Sequence, residues 1–434
     1  MNAPAAGDPL RIAQDLVRAG RPAQALAALE AVAGPRSGTP EHHFTRGLCL
    51  AGVGRAAEAI ESYRQALASR PGYFEAAANL GNLLQVGGRH AEAAECYRQA
   101  LALRPGTALV LNGLGLCELA LGRTEAAERC FREAVDREPG LATAHNNLGI
   151  AAARLGRIAQ ACGHSRRAVE LRPDFTEAWI NLGEQLYQLR RDDEALASLE
   201  RALVLDPSRE AVRYLRDAIA GVQVDRAPDA FVSQFFDRFA ADFDERLTGE
   251  LEYRAPGELR AFIDPWLGGR TGLRIADLGC GTGLAAAALR PIASRLVGVD
   301  LSAAMLERAR SRGTYDELEH SEVGGYLGRQ PPGSFDLVTA LDVFVYLGDL
   351  APLFAAVARA LAPEGLFAFT IESGVEGGVD FRLARTGRYA HSPDYVDRLG
   401  RACGLRALAS RPIVVRRESG RPVAGRYCAF VRER

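Results

Sequence analysis

NLGNLLQVGGRHAEAAECYRQALALRP, running from Asn79 to Pro105, returns in outline on both sides of itself at one fixed interval. The prolines Pro71, Pro105, Pro139, Pro173 and Pro207 are evenly spaced, and Gly47, Gly81, Gly115, Gly149 and Gly183 keep the same period. Ala59, Ala93, Ala127, Ala161 and Ala195 form a third row, and the turn pairs Gly54-Arg55, Gly88-Arg89, Gly122-Arg123 and Gly156-Arg157 a fourth. Small residues locked in phase at this period mark stacked helix-turn-helix units, none of which buries its apolar face alone. Glycine and alanine allow the two helices of a unit to approach closely, and proline stops the second helix because it cannot continue the hydrogen-bond ladder. Five units fill about Thr39 to Pro207, Gly20-Arg21 and Ala25 mark a degenerate unit before them, and Ser208–Gly221 reads as a polar capping helix. The helical half is thus expected over residues 8–224, with the chemistry in residues 225–434.

The composition excludes several function classes. The chain of 434 residues has a net charge of -1, and all 53 of its basic residues are arginine. Neither half is one-sidedly basic, so nucleic acid is not an expected partner. The eight cysteines include no Cys-x-x-Cys pair and no histidine at zinc spacing, which argues against disulfides and a structural metal. No basic, then apolar, leader occurs at the start, and no run of about 18 apolar residues appears anywhere, so no membrane span is expected and a cytoplasmic location follows.

The repeat pattern resembles the tetratricopeptide repeat. Asn79, Asn147 and Asn181 each stand just before a phase-locked glycine in an Asn-Leu-Gly triplet, where the other two units carry Thr45 and Gly113. In arrays that this one resembles, asparagines in the Asn-Leu-Gly context line a concave face and hold a peptide backbone, since an amide both donates and accepts. The resemblance therefore implies a protein or peptide partner on that face. Capping or bridging between neighbouring helices is the other reading of the same residues.

From Leu273 the pattern changes to short apolar runs alternating with helical segments: LRIADLG, RLVGVDLS, FDLVTALDVF and GLFAFTIES each read as a buried strand. A parallel α/β architecture is the natural solution. The first strand ends in Asp277-Leu-Gly279-Cys280-Gly281-Thr-Gly283, and the next ends with Asp300. Glycines at alternate positions let the backbone bend and a ligand touch the main chain, and an acidic side chain after the second strand can accept from both hydroxyls of a ribose. A nicotinamide-binding fold would place its third glycine where Leu284 stands.

With Asp300-Leu301-Ser302-x-x-Met305, Phe335-Asp336-Leu-Val and Leu361-x-Pro-x-Gly365, this half resembles the class I S-adenosylmethionine-dependent methyltransferases, from about Phe231 to Arg434. The fold it implies is an all-helical tetratricopeptide solenoid followed by a Rossmann-like seven-stranded domain, α then α/β. The cofactor it implies is S-adenosylmethionine: the glycine loop with Asp277 around its methionine part, Asp300 on ribose, Met305 or its neighbour Ser302 near the adenine, and Cys280 and Leu301 also among the cofactor-binding residues. Glu322 stands where the third strand usually ends in Asp, and Leu341 and Tyr253 complete the implied cofactor set. A narrower resemblance, on the stretches Phe236–Leu247, Tyr253-Arg-Ala-Pro256, Tyr315-Asp-Glu-Leu318, Asp342–Asp349 and Gly387-Arg-Tyr-Ala-His-Ser392, is to bacterial predicted methyltransferases that carry repeats ahead of the catalytic domain.

Methyl transfer from a sulfonium needs placement and exclusion of water rather than a covalent residue. The helix expected over Phe231–Leu247, with Phe231, Phe235, Phe236, Phe239 and Phe243, suits a lid over the cofactor or ordinary packing on the sheet edge. Asp342 after the fourth strand, Tyr346 beyond it and His391 in the Arg388-Tyr-Ala-His-Ser loop are the catalytic candidates, His391 because imidazole titrates near neutrality. Arg254 and Arg388 suit an anionic acceptor or a neighbouring acid. The acceptor expected first is a protein or peptide brought by the array; a small molecule or sugar, or a cofactor-binding scaffold without turnover, are the alternatives.

Overall fold

A computed structural model describes residues 8–31, 38–240, 243–245, 247, 249, 253–375, 378–418 and 421–434. The chain divides into two compact units, Met1–Leu205 and Asp206–Arg434.

Twelve helices, from Pro9–Arg18 to Asp192–Leu205, make up the described part of the first unit, and each helix pair within a unit joins through a short turn. The glycine row has a steric cause. A Cβ added at Gly47 would lie 2.5 Å from the Tyr63 ring, at Gly81 2.8 Å from Tyr97, and at Gly115 2.5 Å from Phe131. Each partner sits in the second helix of the same unit, so the period carries a ring-on-backbone contact from unit to unit. At Gly149 and Gly183 the partners are Ser165 and Leu199, still at 2.8 and 2.7 Å. The alanine row is wholly buried.

The asparagine row is engaged inside the array. Nδ2 of Asn147 donates to Oδ1 of Asn112 at 2.9 Å, and Nδ2 of Asn181 donates to Oδ1 of Asn146 at 2.8 Å, each bond linking neighbouring repeats. Nδ2 of Asn79 donates to the carbonyl of Glu75 in its own helix. Bridging between helices is therefore what the Asn147 and Asn181 amide nitrogens do.

The second unit begins earlier than the repeat pattern suggests. Helix Glu210–Ala220, read from sequence as the cap of the array, packs within this unit: the Tyr214 hydroxyl donates to the Gly387 carbonyl at 2.9 Å, and Tyr214 and Ala218 join an apolar cluster with Val232, Tyr346 and Tyr389. Its buried face, not its polar one, decides its place.

Nine strands follow among the described residues: β1 (Leu273–Leu278), β2 (Ala293–Asp300), β3 (Glu317–His320), β4 (Phe335–Ala340), β5 (Leu361–Glu372), β6 (Phe381–Leu383), β7 (Tyr389–His391), β8 (Leu405–Glu418) and β9 (Arg421–Arg432). Seven form one Rossmann-like sheet in the order β3-β2-β1-β4-β5-β9-β8, with β6 and β7 pairing apart. The first five neighbours are parallel and β9 runs antiparallel to both β5 and β8. Alternate residues of the central strands feed two cores. Ile275, Leu296 and Leu337 pack under helix Ala255–Leu267, whereas Val297, Val338, Phe367 and Phe369 pack under Ala351–Ala360. Cover on both faces explains why β1 and β4 read as almost unbroken apolar runs. The chain crosses from β2 and β3 on one side of β1 to β4 and β5 on the other, and the crevice outside the strand ends at such a reversal is where open α/β sheets bind ligands.

Candidate functional site

A cleft enclosing about 1040 Å³, open mouth included, occupies that crevice. Its floor is the glycine loop after β1. Gly279, Gly281 and Gly283 have φ of +63°, +54° and +86°, a backbone region that side chains other than glycine rarely adopt. A Cβ on Gly279 would also strike the Val343 side chain. Gly279, Cys280 and Gly281 line the cleft; Gly283 lies behind it, against the Tyr315 ring.

Two buried carboxylates face the cleft. Oδ2 of Asp277 accepts from the Tyr315 hydroxyl and Oδ1 from Thr339, both at 2.7 Å. These are neutral donors, and burial pushes the Asp277 carboxyl up to about 6 despite them. Asp300 accepts from the backbone amides of Ser302 and Gly281, both at 2.8 Å, so it fixes the glycine loop to the end of β2. Its carboxyl is also raised, again by burial first. Negative charge held by neutral groups in an apolar cleft fits a cationic ligand with hydroxyls to donate, which is the chemistry of S-adenosylmethionine. Leu301, Met305 and Leu341 supply apolar wall, and Tyr253 is a buried member of it.

Glu322 lines the cleft and follows β3 as the N-cap of helix Val323–Arg329. Its two carboxylate oxygens accept from the amides of Gly324 and Gly325. The expected lid is shorter than the aromatic spacing suggests, Asp229–Phe239 with a separate turn at Phe243–Glu245. Phe236 and Phe243 line the cleft, whereas Phe231 packs on Tyr214 at 4.8 Å between ring centroids; the Phe239 side chain lies outside the described residues. Two latches fasten this roof. Asp237 accepts from the Ser302 hydroxyl at 2.5 Å, and Asp244 accepts from Thr282 of the glycine loop and from Arg312.

At the β4 end, Asp342 adopts a left-handed φ of 57°, its amide donating to Thr370 Oγ1 of β5 at 2.9 Å. Arg416 donates to its Oδ1 at 3.1 Å and Arg388 to its Oδ2 at 3.5 Å; the same two guanidiniums pair with Glu372. Tyr346 is buried in the cleft wall, with Arg388 5.6 Å from its ring centroid and Phe236 edge-on at 5.6 Å. Burial raises its hydroxyl to about 12. That hydroxyl has no hydrogen-bond partner among the described residues.

His391 is not brought to the cleft. It ends β7 wholly buried, its Nε2 donating to the carbonyls of Leu347 and Gly348 at 2.8 and 3.2 Å, which fixes the tautomer. Burial lowers its pKa to about 4, so it is neutral at physiological pH. A histidine read as a proton acceptor in a loop is thus a strand residue tying β7 to the turn after Tyr346. The residues that sequence reasoning missed are Tyr315, Thr339, Arg416 and Glu372. Tyr315 stood within a quoted stretch, yet nothing in its spacing pairs it with Asp277, 38 positions away.

Residues 276–369 match the family model described as methyltransferase domain, and residues 10–74, 73–138, 118–163 and 147–210 match tetratricopeptide repeat models. The chain carries tetratricopeptide repeats followed by a methyltransferase domain. This methyltransferase domain is similar to a ubiquinone biosynthesis O-methyltransferase of Idiomarina loihiensis, 33% identical over 25% of this chain and 46% of that one. It is likewise similar to a trans-aconitate 2-methyltransferase of Methylobacterium nodulans, 34% identical over 31% of this chain and 50% of that one. The chain thus spans about half the length of these curated relatives. A solved structure of MamA from Desulfovibrio magneticus aligns with a TM-score of 0.37 at 26% identity, covering 39% of this chain and 99% of that one. Among the described residues no helix is long and apolar enough to cross a membrane.

Proposed function

We propose that this protein is an S-adenosylmethionine-dependent methyltransferase whose repeat array binds a partner protein. The observation that carries the reading is the pair of buried carboxylates, Asp277 and Asp300, held by neutral donors around a left-handed glycine loop. When bound, S-adenosylmethionine supplies an electrophilic methyl group on a sulfonium sulfur. Asp300 would hold its ribose, the glycine loop and Asp277 would surround its methionine part with Asp277 facing the ammonium, and Phe236 and Phe243 would exclude water.

A protein or peptide acceptor was the first expectation for the array. The engagement of the Asn147 and Asn181 amide nitrogens inside the array weighs against a peptide groove built on that row. A small-molecule acceptor, with the array serving assembly, is favoured by the roofed, largely apolar cleft and by the small-molecule activities for which the relatives are named. Incubation with methyl-labelled S-adenosylmethionine and a bacterial lysate separates the readings, because protein and small-molecule label partition on precipitation. Calorimetry with S-adenosylhomocysteine tests the class itself: no saturable heat with the full chain would refute it, and Asp300→Ala should weaken binding by about 1.5–3 kcal/mol.

A further inference from the structure

The strand ends that form the cleft stand in the order β3, β2, β1, β4. A ligand whose ribose meets Asp300 at β2 and whose ammonium meets Asp277 at β1 extends toward β4. What reacts with it must then sit beside Asp342 and Tyr346. Two features of that end lack a role in holding the nucleoside. The Tyr346 hydroxyl is buried and has no partner among the described residues, and the residue lines the cleft. Asp342 also lines the cleft, its carboxylate held in place by Arg388 and Arg416, themselves balanced by Glu372, so it offers oriented lone pairs with its charge already countered.

We propose that this end of the cleft is an acceptor subsite for a small molecule bearing a phenolic or enolic hydroxyl, which accepts a hydrogen bond from Tyr346 and donates one to Asp342. The inference rests on the methyltransferase reading above. A hydroxyl satisfies both groups and still keeps a second lone pair for the methyl group. A neutral amine has a single lone pair, which a bond from Tyr346 would occupy, a thiol is a weak donor to Asp342, and a carboxylate would face Asp342 with like charge. The other walls there, Val343, Leu347 and Phe236, suit a planar apolar body. Phe236 stands edge-on to Tyr346 from the roofing helix, so the subsite lies under a cover that suits a compact ligand.

The chemistry balances within these groups. A bond forms from the hydroxyl oxygen to the methyl carbon, the sulfur–methyl bond breaks with its electron pair staying on sulfur, and the hydroxyl proton passes to the Asp342 carboxylate. As the new bond forms the proton becomes strongly acidic, so a carboxylate held by two guanidiniums suffices to take it. Arg388 and Arg416 are positioning residues in this scheme, since they act through Asp342.

The test uses the full chain saturated with S-adenosylhomocysteine and 4-nitrocatechol as the probe, whose visible absorbance changes when its hydroxyls are bound or ionised. The wild type is expected to give a saturable spectral change. Tyr346→Phe should bind S-adenosylhomocysteine within about threefold of wild type and the probe at least about tenfold more weakly, the loss of one buried hydrogen bond. Asp342→Asn should show the same split and guards against a folding defect peculiar to one variant. No saturable change in the wild type overturns the proposal, as does probe binding by Tyr346→Phe as tight as that of wild type. A fall in S-adenosylhomocysteine affinity beyond threefold in Tyr346→Phe assigns the hydroxyl to the nucleoside ligand and overturns it too. Failure of the wild type to bind S-adenosylhomocysteine refutes the methyltransferase reading itself and is seen separately.

Discussion

Replacing Tyr315 by phenylalanine removes one oxygen and leaves the ring that backs Gly283 and Gly298. That oxygen is one of two donors holding Asp277 ionised in a buried position. A hydrogen bond to a charged group contributes about 1.5–3 kcal/mol, and one pKa unit corresponds to about 1.4 kcal/mol, so its loss should raise the Asp277 carboxyl by about one to two units. The starting value is about 6, with burial raising it, Tyr315 and Thr339 opposing, and the Asp300 carboxylate adding repulsion. Cys280 and Tyr253 also face this carboxyl, and burial keeps both neutral. A ligand that sets its ammonium against Asp277 prefers the ionised form, so its affinity rises with pH through the Asp277 pKa. In wild type that rise is centred near 6, and in Tyr315→Phe it should move to about 7–8. Calorimetry with S-adenosylhomocysteine between about pH 5.5 and 9 reads the two midpoints directly, and affinities should converge at the alkaline end. A uniform loss at every pH would mean that the hydroxyl only supports the loop. An unchanged midpoint would mean that Asp277 does not meet the ligand's cation. The sign for stability is the reverse. With its folded pKa raised above the unfolded value, Asp277 contributes less stability as pH rises through about 4–6, and in the variant that decline should extend to about 7–8.

His391→Asn should leave the affinity for S-adenosylhomocysteine unchanged and alter acid stability instead. The folded pKa near 4 lies below the unfolded 6.5, so stability is full above about 6.5 and falls by about 3 kcal/mol as pH drops toward 4; denaturant melts across that window should flatten in the variant. In the array, Gly115→Ala drives a methyl group into Phe131 and should cost about 1–3 kcal/mol by thermal melting, whereas Gly163→Ala, an exposed helical position with open space around it, should gain about 0.5–1 kcal/mol. Asp237→Ala removes the bond to Ser302 and should speed release of S-adenosylhomocysteine by about fivefold or more in stopped-flow, the worth of about 1 kcal/mol; an unchanged rate would free the roof from any part in retention.

The helical half was legible because its rows encode one contact repeated: glycine at Gly47, Gly81 and Gly115 announces an aromatic ring in the helix that follows. The glycine loop and the two acids at the ends of β1 and β2 were legible for a similar reason, since left-handed backbone and strand ends at a crevice leave few residue types to choose from. What spacing did not reveal are contacts made by folding distant strands together. Arg416 comes from β8 to meet Asp342 after β4, and Tyr315 reaches back to β1. His391 misled for the opposite reason: its residue type suggests titration, but burial among Phe381, Tyr395 and two carbonyls removes it. Helix Glu210–Ala220 reads in sequence as a polar cap of the array, and Tyr214 and Ala218 on its inner face tell which unit it joins.

Ser302 has three connections at once. Its amide holds Asp300, its hydroxyl oxygen accepts from the Met305 amide to start the next helix, and the same hydroxyl donates to Asp237 on the roof. A nucleoside held on Asp300 would therefore bear on a residue that the roof already grips, so retention of the ligand and the hold of the roof are coupled through Ser302. For the methyltransferase proposed above, the expected kinetic signature is an ordered reaction: S-adenosylmethionine enters before the acceptor, its demethylated product departs last, and that product inhibits competitively against S-adenosylmethionine but not against the acceptor.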